Sequence, residues 1–386
     1  SGATVSSGGV EISMVKALLR AAGDYDEEDL YIDSEFDAWA AAEAVWPEWA
    51  EEEQPAVLDE DFKTMYRNIS RSAYASHEGM KTGVKQLRYL VHHYPDEPLR
   101  DYVWLAMARL LERLREDHLA YKEIKAIQET GKISVPWSEE HVLYFADHWH
   151  DILANIFARN GFTDQMEAEI AALDTFLVSG NGHGPGDHLS NIVKAYFTAG
   201  MNDKVIERLG KLTDESTYEH KTSMASTTVG AASMLFRMGE YEKVLEMTQW
   251  MMDEGLESTR FIKDPENSYY VDKWQSSFKQ VEEWRTLAQN GLTPSFRNLV
   301  DGNYEAEAQG FRDKIGISAV VADGRLKEVL VGPDHMEDRP ITAFTIIPKT
   351  WVERRSLAVD GISGATVTSG AVEAAIIKTL IQAKAD

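Results

Sequence analysis

The chain contains no cysteine, which excludes disulfides, thiolate metal sites, iron–sulfur clusters and haem attached through cysteine. It has no apolar run approaching ~18 residues, so we expect no transmembrane segment. Basic residues are scarce, since 39 Lys and Arg stand against 64 Asp and Glu and give a formal charge of −25. A field this negative repels nucleic acid and anionic membranes, and no basic patch offsets it. We therefore expect neither partner, and any redox chemistry needs a cofactor of another kind.

The two ends of the chain repeat each other. The segment 1–24 aligns with 363–386 at a constant offset of 362, and 13 of the 24 aligned residues are identical. Ser1 matches Ser363, and Thr4 matches Thr366. We predict that 1–23 is the tail of a module whose complete form lies at the C-terminus.

A second repeat occupies the middle of the chain. Gly161, Gly200 and Gly239 are spaced 39 residues apart, and each follows an aromatic residue and precedes an amphipathic run. This pattern predicts a helix, a tight glycine turn and a helix, and it resembles tetratricopeptide-like helical repeats. Because such pairs cannot bury their apolar faces alone, we predict that 24–290 forms an α-helical repeat scaffold, an all-α solenoid.

The hydrophobic pattern changes after Pro294. Apolar and polar residues alternate in DGNYEAEAQGF, KIGISAVVADGRLKEVLVG and ITAFTII, with a hairpin turn signal at Asp323-Gly324. Helical period returns over about 369–384. The sequence therefore predicts a multidomain chain in which the solenoid is followed by a small α+β domain at 295–386.

Three motifs occur in order in this last domain. They are D-G-x-Y-x-A-x-A-x-G-F from Asp301 to Phe311, V-x-D-G-R-L-x-x-V from Val321 to Val329, and D-x-x-S-G-A-T-x-T-S from Asp360 to Ser369. Together they resemble the FMN-binding domain family, whose members include covalent-flavin components of the sodium-translocating NADH:quinone reductase and of the Rnf complex. The resemblance covers about a quarter of the chain.

The resemblance implies a cofactor and an attachment site. In that family a flavin transferase joins the phosphate of FMN to the last threonine of the S-G-A-T motif. The implied acceptor is Thr366, preceded by Ser363, Gly364 and Ala365, and the implied partner during maturation is a flavin transferase. Asp360 would either bind the metal needed for transfer or fix the turn. Members of this family typically work outside the cytoplasm, which implies a periplasmic, cell-surface or secreted location.

The residue types of the motif suit a phosphothreonine ester. Gly364 and Ala365 leave the backbone uncovered, so a phosphate can approach main-chain N–H groups closely. Thr368 or Ser369 is predicted to cap the final helix, whose free N–H groups would then face the anion. Relatives often carry E-T-P-G-x-G in a loop near the flavin, whereas this chain has HMEDRPITAF, so the geometry of the flavin pocket is not predicted.

The N-terminal repeat has three interpretations. The natural product is longer and tandem; or the segment completes the module of a neighbouring chain and builds a homo-oligomer or filament; or it is a helix that packs on the scaffold. Thr4 is therefore a secondary candidate for a second covalent FMN.

No catalytic or metal-binding residue is predicted. His141, His148 and His150, with Asp147 and Asp151, could contribute metal ligands, since positions seven apart share a helix face, but such residues are more often solvated or core hydrogen-bonding groups. The sequence lacks G-x-S-x-G, Walker A and G-x-G-x-x-G motifs.

The leading hypothesis is an extracytoplasmic flavoprotein electron carrier, rather than a self-contained enzyme, whose helical repeats dock redox partner proteins or like subunits. Two alternatives stay open. One is an assembly or interaction protein that forms head-to-tail polymers through its FMN-binding modules, and the other is a flavin reductase of a small acceptor.

Overall fold

The computed structural model describes residues 32–56, 58, 61–74, 76–138, 142–179, 185–212, 221–260, 262, 264–332, 342–357 and 366–384. These residues are mostly helical, with a small three-stranded sheet near the C-terminus. They divide into two compact units. Unit 1 takes the described residues numbered up to 70, from 81 to 183 and from 194 to 199, and unit 2 takes 71–80, 184–193 and those from 200 onwards. Unit 2 includes helices as well as the sheet. The predicted domain boundaries, after residue 23 and between residues 290 and 295, stay predictions.

The elements before residue 200 are mainly helices. They are α1 (Ile32–Ala41), α2 (Phe62–Ala73), α3 (His77–His93), α4 (Arg100–Arg113), α5 (Asp117–Glu129), β1 (Ser134–Pro136), β2 (Val142–Tyr144), α6 (Ala146–Asn160), α7 (Thr163–Ser179) and α8 (Pro185–Thr198). A short 3-10 helix, Glu48–Ala50, lies between α1 and α2. The antiparallel pair β1 and β2 corrects the prediction that 24–290 is all-helical.

The later elements combine helices and strands. They are α9 (Asn202–Leu212), α10 (Lys221–Arg237), α11 (Tyr241–Glu254), α12 (Ser268–Gln289), β3 (Gly302–Gln309), β4 (Lys314–Ala322), β5 (Arg325–Val331), α13 (Thr342–Arg354) and α14 (Thr366–Gln382).

An aromatic cluster forms part of the core of unit 1. The ring of Phe36 on α1 packs edge-on against Phe157 and Phe162 at centroid distances of 5.5 Å and 5.3 Å. Trp39, one turn later, packs against Tyr121 at 4.8 Å. These large rings bury apolar area and hold α1 against α5 and α6.

The three repeated glycines lie at turns between helices, as predicted. Gly161, Gly200 and Gly239 separate α6 from α7, α8 from α9 and α10 from α11, with φ of 79°, 72° and 81°. Residues with a Cβ rarely adopt this left-handed conformation, which explains the glycine at each position. The helix–turn–helix prediction is thus confirmed, while stacking of the pairs into a solenoid stays a prediction.

The C-terminal sheet has strand order β3-β4-β5 and is antiparallel throughout. Alternate residues of β4, namely Ile315, Ile317, Ala319 and Val321, are buried. The β4–β5 hairpin turns at Asp323 and Gly324, with φ of 55° and 67°, as the Asp-Gly signal predicts. The carboxylate of Asp301 accepts hydrogen bonds from the backbone N–H groups of both turn residues, at 3.1 Å and 2.8 Å. This motif aspartate therefore stabilises the hairpin.

The prediction that ITAFTII is a strand was wrong, because α13 occupies Thr342–Arg354. The buried residues there are Ala343, Ile346, Ile347 and Trp351, which recur at helical spacing. The helical period becomes clear only when Trp351 is included, and the short run by itself also fits alternation.

Helix α14 is buried almost completely. Every residue from Val367 to Ile377 is buried, and α14 contacts β3, β4, α10, α12 and α13. A helix that is apolar around most of its surface is stable only when other elements cover it. The predicted C-terminal helix is confirmed, and it is the central element of this part of unit 2.

Gly370 allows close packing of α14. A Cβ added there would lie 2.8 Å from Oε1 of Gln280 and 3.1 Å from Cγ1 of Val229. We expect Gly370→Ala to lower the free energy of unfolding by about 1–3 kcal/mol, because overpacking outweighs the better helix propensity of alanine. Urea unfolding followed by circular dichroism measures the change.

Gly210 is the matched control, because a Cβ added to this helical glycine would meet no atom within 4 Å. Gly210→Ala is expected to raise the free energy of unfolding by up to about 1 kcal/mol. The same sign of effect at both positions would contradict the packing described for Gly370.

Candidate functional site

The candidate site is the N-terminal end of α14. This helix begins at Thr366, the threonine that the family resemblance implies as the flavin acceptor. Thr368 and Ser369 lie in its first turn, 5% and 3% exposed, so the prediction that either residue caps the helix was wrong. The structure therefore brings Thr366, Thr368 and Ser369 together at one helix end.

This helix end suits an anion. The first N–H groups of a helix have no partner within it, and the helix dipole places partial positive charge there. The first turn of α14 contains no acidic residue that would oppose a negative group. A phosphate ester on the first residue of the helix therefore fits the residues that the structure places there.

The other predicted site residues lie outside the described residues. These are Thr4, Asp360, Ser363, Gly364 and Ala365. The backbone of Thr366 is described as part of α14, and its side chain is not.

A buried ion pair joins α14 to α10. A guanidinium nitrogen of Arg237 lies 3.4 Å from Oε2 of Glu373, with side-chain exposures of 3% and 4%. The hydroxyl of Ser233 donates to the same carboxylate oxygen at 2.7 Å. Arg237 also donates to the backbone carbonyl of Leu357 at 3.2 Å. One arginine thus contacts both α14 and the chain that leaves α13.

A buried glutamine joins α14 to α12. The side-chain amide nitrogen of Gln280 donates to the carbonyl of Val367 at 2.5 Å and also to the carbonyl of Gln309. Sequence reasoning missed Gln280 and Arg237, which are far from α14 along the chain. The sequence signal that could have indicated a buried polar residue is a polar side chain between large apolar ones, such as Gln280 between Phe278 and Val281.

A cavity of about 330 Å³ lies beside the contact between α12 and α14. Its lining residues are Lys279, Glu282, Glu283, Thr286, Leu287, Gln309 and Lys378. Oε1 of Glu283 accepts from the backbone N–H of Gln309 at 3.2 Å, and Oε2 lies 3.5 Å from the ammonium of Lys378. Burial raises the pKa of the Glu283 carboxyl, while Lys378, the Gln309 N–H and Lys314 offset part of the rise.

Two of the histidines considered as metal ligands, His148 and His150, have other contacts, and His141 lies outside the described residues. Nδ1 of His148 lies 2.7 Å from a guanidinium nitrogen of Arg109, and Nδ1 of His150 lies 2.5 Å from Oε2 of Glu169. Within the described residues, no group of three histidine or acidic side chains is arranged to hold a metal ion.

Comparison with known proteins bears on the C-terminal residues. Residues 310–381 match the model of a family described as FMN-binding domain. The C-terminal part of the chain carries an FMN-binding domain. The resemblance seen in its motifs is thereby confirmed for these residues, which include Thr366 and most of α14.

A curated protein is similar to part of the chain. An uncharacterized protein of Treponema pallidum (strain Nichols) is 36% identical over 100 residues, which are 25% of this chain and 28% of that protein. No solved structure matches the chain. Among the described residues, no helix is long and apolar enough to cross a membrane.

The Arg237–Glu373 pair gives a stability prediction. We expect Arg237→Met to lower the free energy of unfolding by about 3–5 kcal/mol, because it removes the cation beside a buried carboxylate. Adding Glu373→Gln to this variant should recover part of the loss, since the buried charge is then absent. Urea unfolding gives both values.

The exposed Lys349–Glu353 pair serves as the control, with side chains 71% and 61% exposed. Lys349→Met should change the free energy of unfolding by no more than about 0.5 kcal/mol. Equal effects of Arg237→Met and Lys349→Met would contradict the buried pairing.

Glu283 gives a pH prediction. A carboxyl whose pKa is raised on folding binds its proton more tightly in the folded protein, so it adds stability as the pH falls through the folded-state pKa. We expect Glu283→Gln to be more stable than the wild type at neutral pH. This advantage should disappear below the unfolded-state pKa of about 4.3. Urea unfolding across this pH range measures the difference.

Glu282→Gln, at the exposed neighbouring position on α12, is the control and should leave the pH dependence as in the wild type. A Glu283→Gln advantage that grows as the pH falls would show that the sign is wrong.

Proposed function

We propose that the protein is an extracytoplasmic flavoprotein electron carrier in which FMN is joined by a phosphoester to Thr366. The observation that carries the proposal is the position of Thr366. It is the motif threonine of an FMN-binding domain and also the first residue of a buried helix. Neither the family match nor the helix end alone would single out this hydroxyl.

The helix end supports a phosphoester there. A threonyl FMN ester keeps one negative charge on its phosphate, and the N–H groups and dipole of the first turn of α14 favour an anion. In this proposal the first turn of α14 holds the phosphate at a fixed place, and the elements packed against α14 keep that helix buried. Bound FMN would supply one- or two-electron transfer.

The proposed location and partners follow from the linkage. A covalent cofactor is useful where a lost flavin cannot be replaced, which favours a site outside the cytoplasm. Electrons would enter from a reduced donor protein and leave to an oxidised acceptor, and the helical part would dock these redox partners or like subunits. Attachment requires a flavin transferase during maturation.

Mass spectrometry tests the linkage. In protein produced together with a flavin transferase, we expect the peptide containing Thr366 to gain the mass of one FMN less one water. Thr366→Val should carry no flavin, because it has no hydroxyl, whereas Thr366→Ser keeps the hydroxyl and should still be modified. The yellow colour should remain with the polypeptide after acid denaturation.

A second FMN-binding protein, modified in the same cells, shows that the transferase is active. An unmodified Thr366 peptide under those conditions would refute the covalent attachment. A flavin adduct found on the peptide containing Thr4 would instead support the secondary site.

A further inference from the structure

Gln280 binds two backbone carbonyls that meet at the start of α14. The side chain is 2% exposed and comes from the middle of α12. Its amide nitrogen donates to Val367, the residue after Thr366, and to Gln309, the last residue of β3. A single side-chain amide therefore links α12, the sheet and the first turn of α14.

The orientation of this amide is determined by its partners. Carbonyl oxygens accept and do not donate, so only the NH₂ end of Gln280 can face both of them. The carbonyl end, Oε1, is buried and has no hydrogen-bond partner among the described residues. An unpartnered buried oxygen is unfavourable, so this orientation of the amide costs stability.

Gly370 leaves space for the amide. A Cβ at this position would lie only 2.8 Å from Oε1 of Gln280, which is closer than real Cβ contacts allow. The glycine one turn into α14 and the glutamine on α12 therefore fit each other.

Arg237 provides a second contact between the helices and this region. It donates to the carbonyl of Leu357 and pairs with Glu373 on the second turn of α14. Leu357 precedes, and Val367 follows, the stretch of sequence that holds the acceptor motif. Gln280 and Arg237 both lie outside residues 310–381, which match the family.

We propose that Gln280, supported by Arg237, is a positioning residue that fixes the first turn of α14 and thereby the surroundings of an FMN on Thr366. The helical part of unit 2 is then a component of the flavin site as well as a scaffold. The role assigned to the flavin rests on the proposed function, whereas the positioning of α14 rests on the contacts alone. Shifts of a few tenths of an ångström matter because electrostatic effects at a cofactor depend on fixed donors.

Amide hydrogen exchange tests the positioning in protein made without the transferase. Gln280→Met keeps the side-chain length and removes both donors, so exchange at residues 370–374, the first amides bonded within α14, should become about tenfold faster. Gln289→Met is the matched control, because Gln289 is exposed at the end of the same helix, and it should cause no change. Amides of α11 report the general stability of unit 2 and should exchange as in the wild type.

The flavin-loaded protein gives a second measurement. Gln280→Met should shift the flavin midpoint potential and alter the visible circular dichroism band, whereas Gln289→Met should leave both at wild-type values. In Gln280→Glu a protonated carboxyl keeps one donor, so its exchange rate and potential should be intermediate. If Gln280→Met does not fold, Gln280→Glu replaces it in both measurements.

Two results would overturn the positioning role. One is unchanged exchange at 370–374 together with an unchanged potential, and the other is equal acceleration of all amides in unit 2, which indicates a general loss of stability. A wild-type protein without FMN on Thr366 would refute the proposed function, and the exchange experiment would still decide whether Gln280 positions α14.

Discussion

The burial of α14 is the constraint on which the C-terminal part of the structure depends. A helix whose residues from Val367 to Ile377 are all buried cannot be stable without the elements that cover it. Strands β3 and β4 cover part of this surface, and helices α10, α12 and α13 cover other parts. Since Thr366 is the first residue of α14, the place of the proposed flavin acceptor is determined by both sets of elements.

Polar contacts give this buried helix one defined position. Much of the apolar surface of α14 consists of alanine and isoleucine side chains, which by themselves would pack in more than one register. Val367, Glu373 and Lys378 meet donors or charges on α10 and α12, at three levels along the helix. A rotation or a shift by one turn would separate all three contacts, so they specify where the first turn lies.

Sequence reasoning found the features that local patterns encode. The glycine turns, the Asp-Gly hairpin and the final helix each depend on a few neighbouring residues, and the structure confirms them. The strand assigned to ITAFTII was wrong because seven residues fit either period. Gln280 and Arg237 could not be assigned to the site, since their partners on α14 lie 87 and 136 positions away in the sequence. Such contacts follow from tertiary packing, which no local pattern reports.

The contacts of α14 also change what the terminal repeat implies. Gly370, Glu373 and Lys378 recur in the first segment as Gly8, Glu11 and Lys16. In α14 these three residues serve packing and ion pairing with neighbouring elements, not attachment of a flavin. Identity at these positions is therefore no argument for a second cofactor. For the proposed phosphoester, only the S-G-A-T residues that end at Thr4 bear on flavin attachment. The remaining identities favour the prediction of a helix in this segment, which each of its three interpretations accommodates.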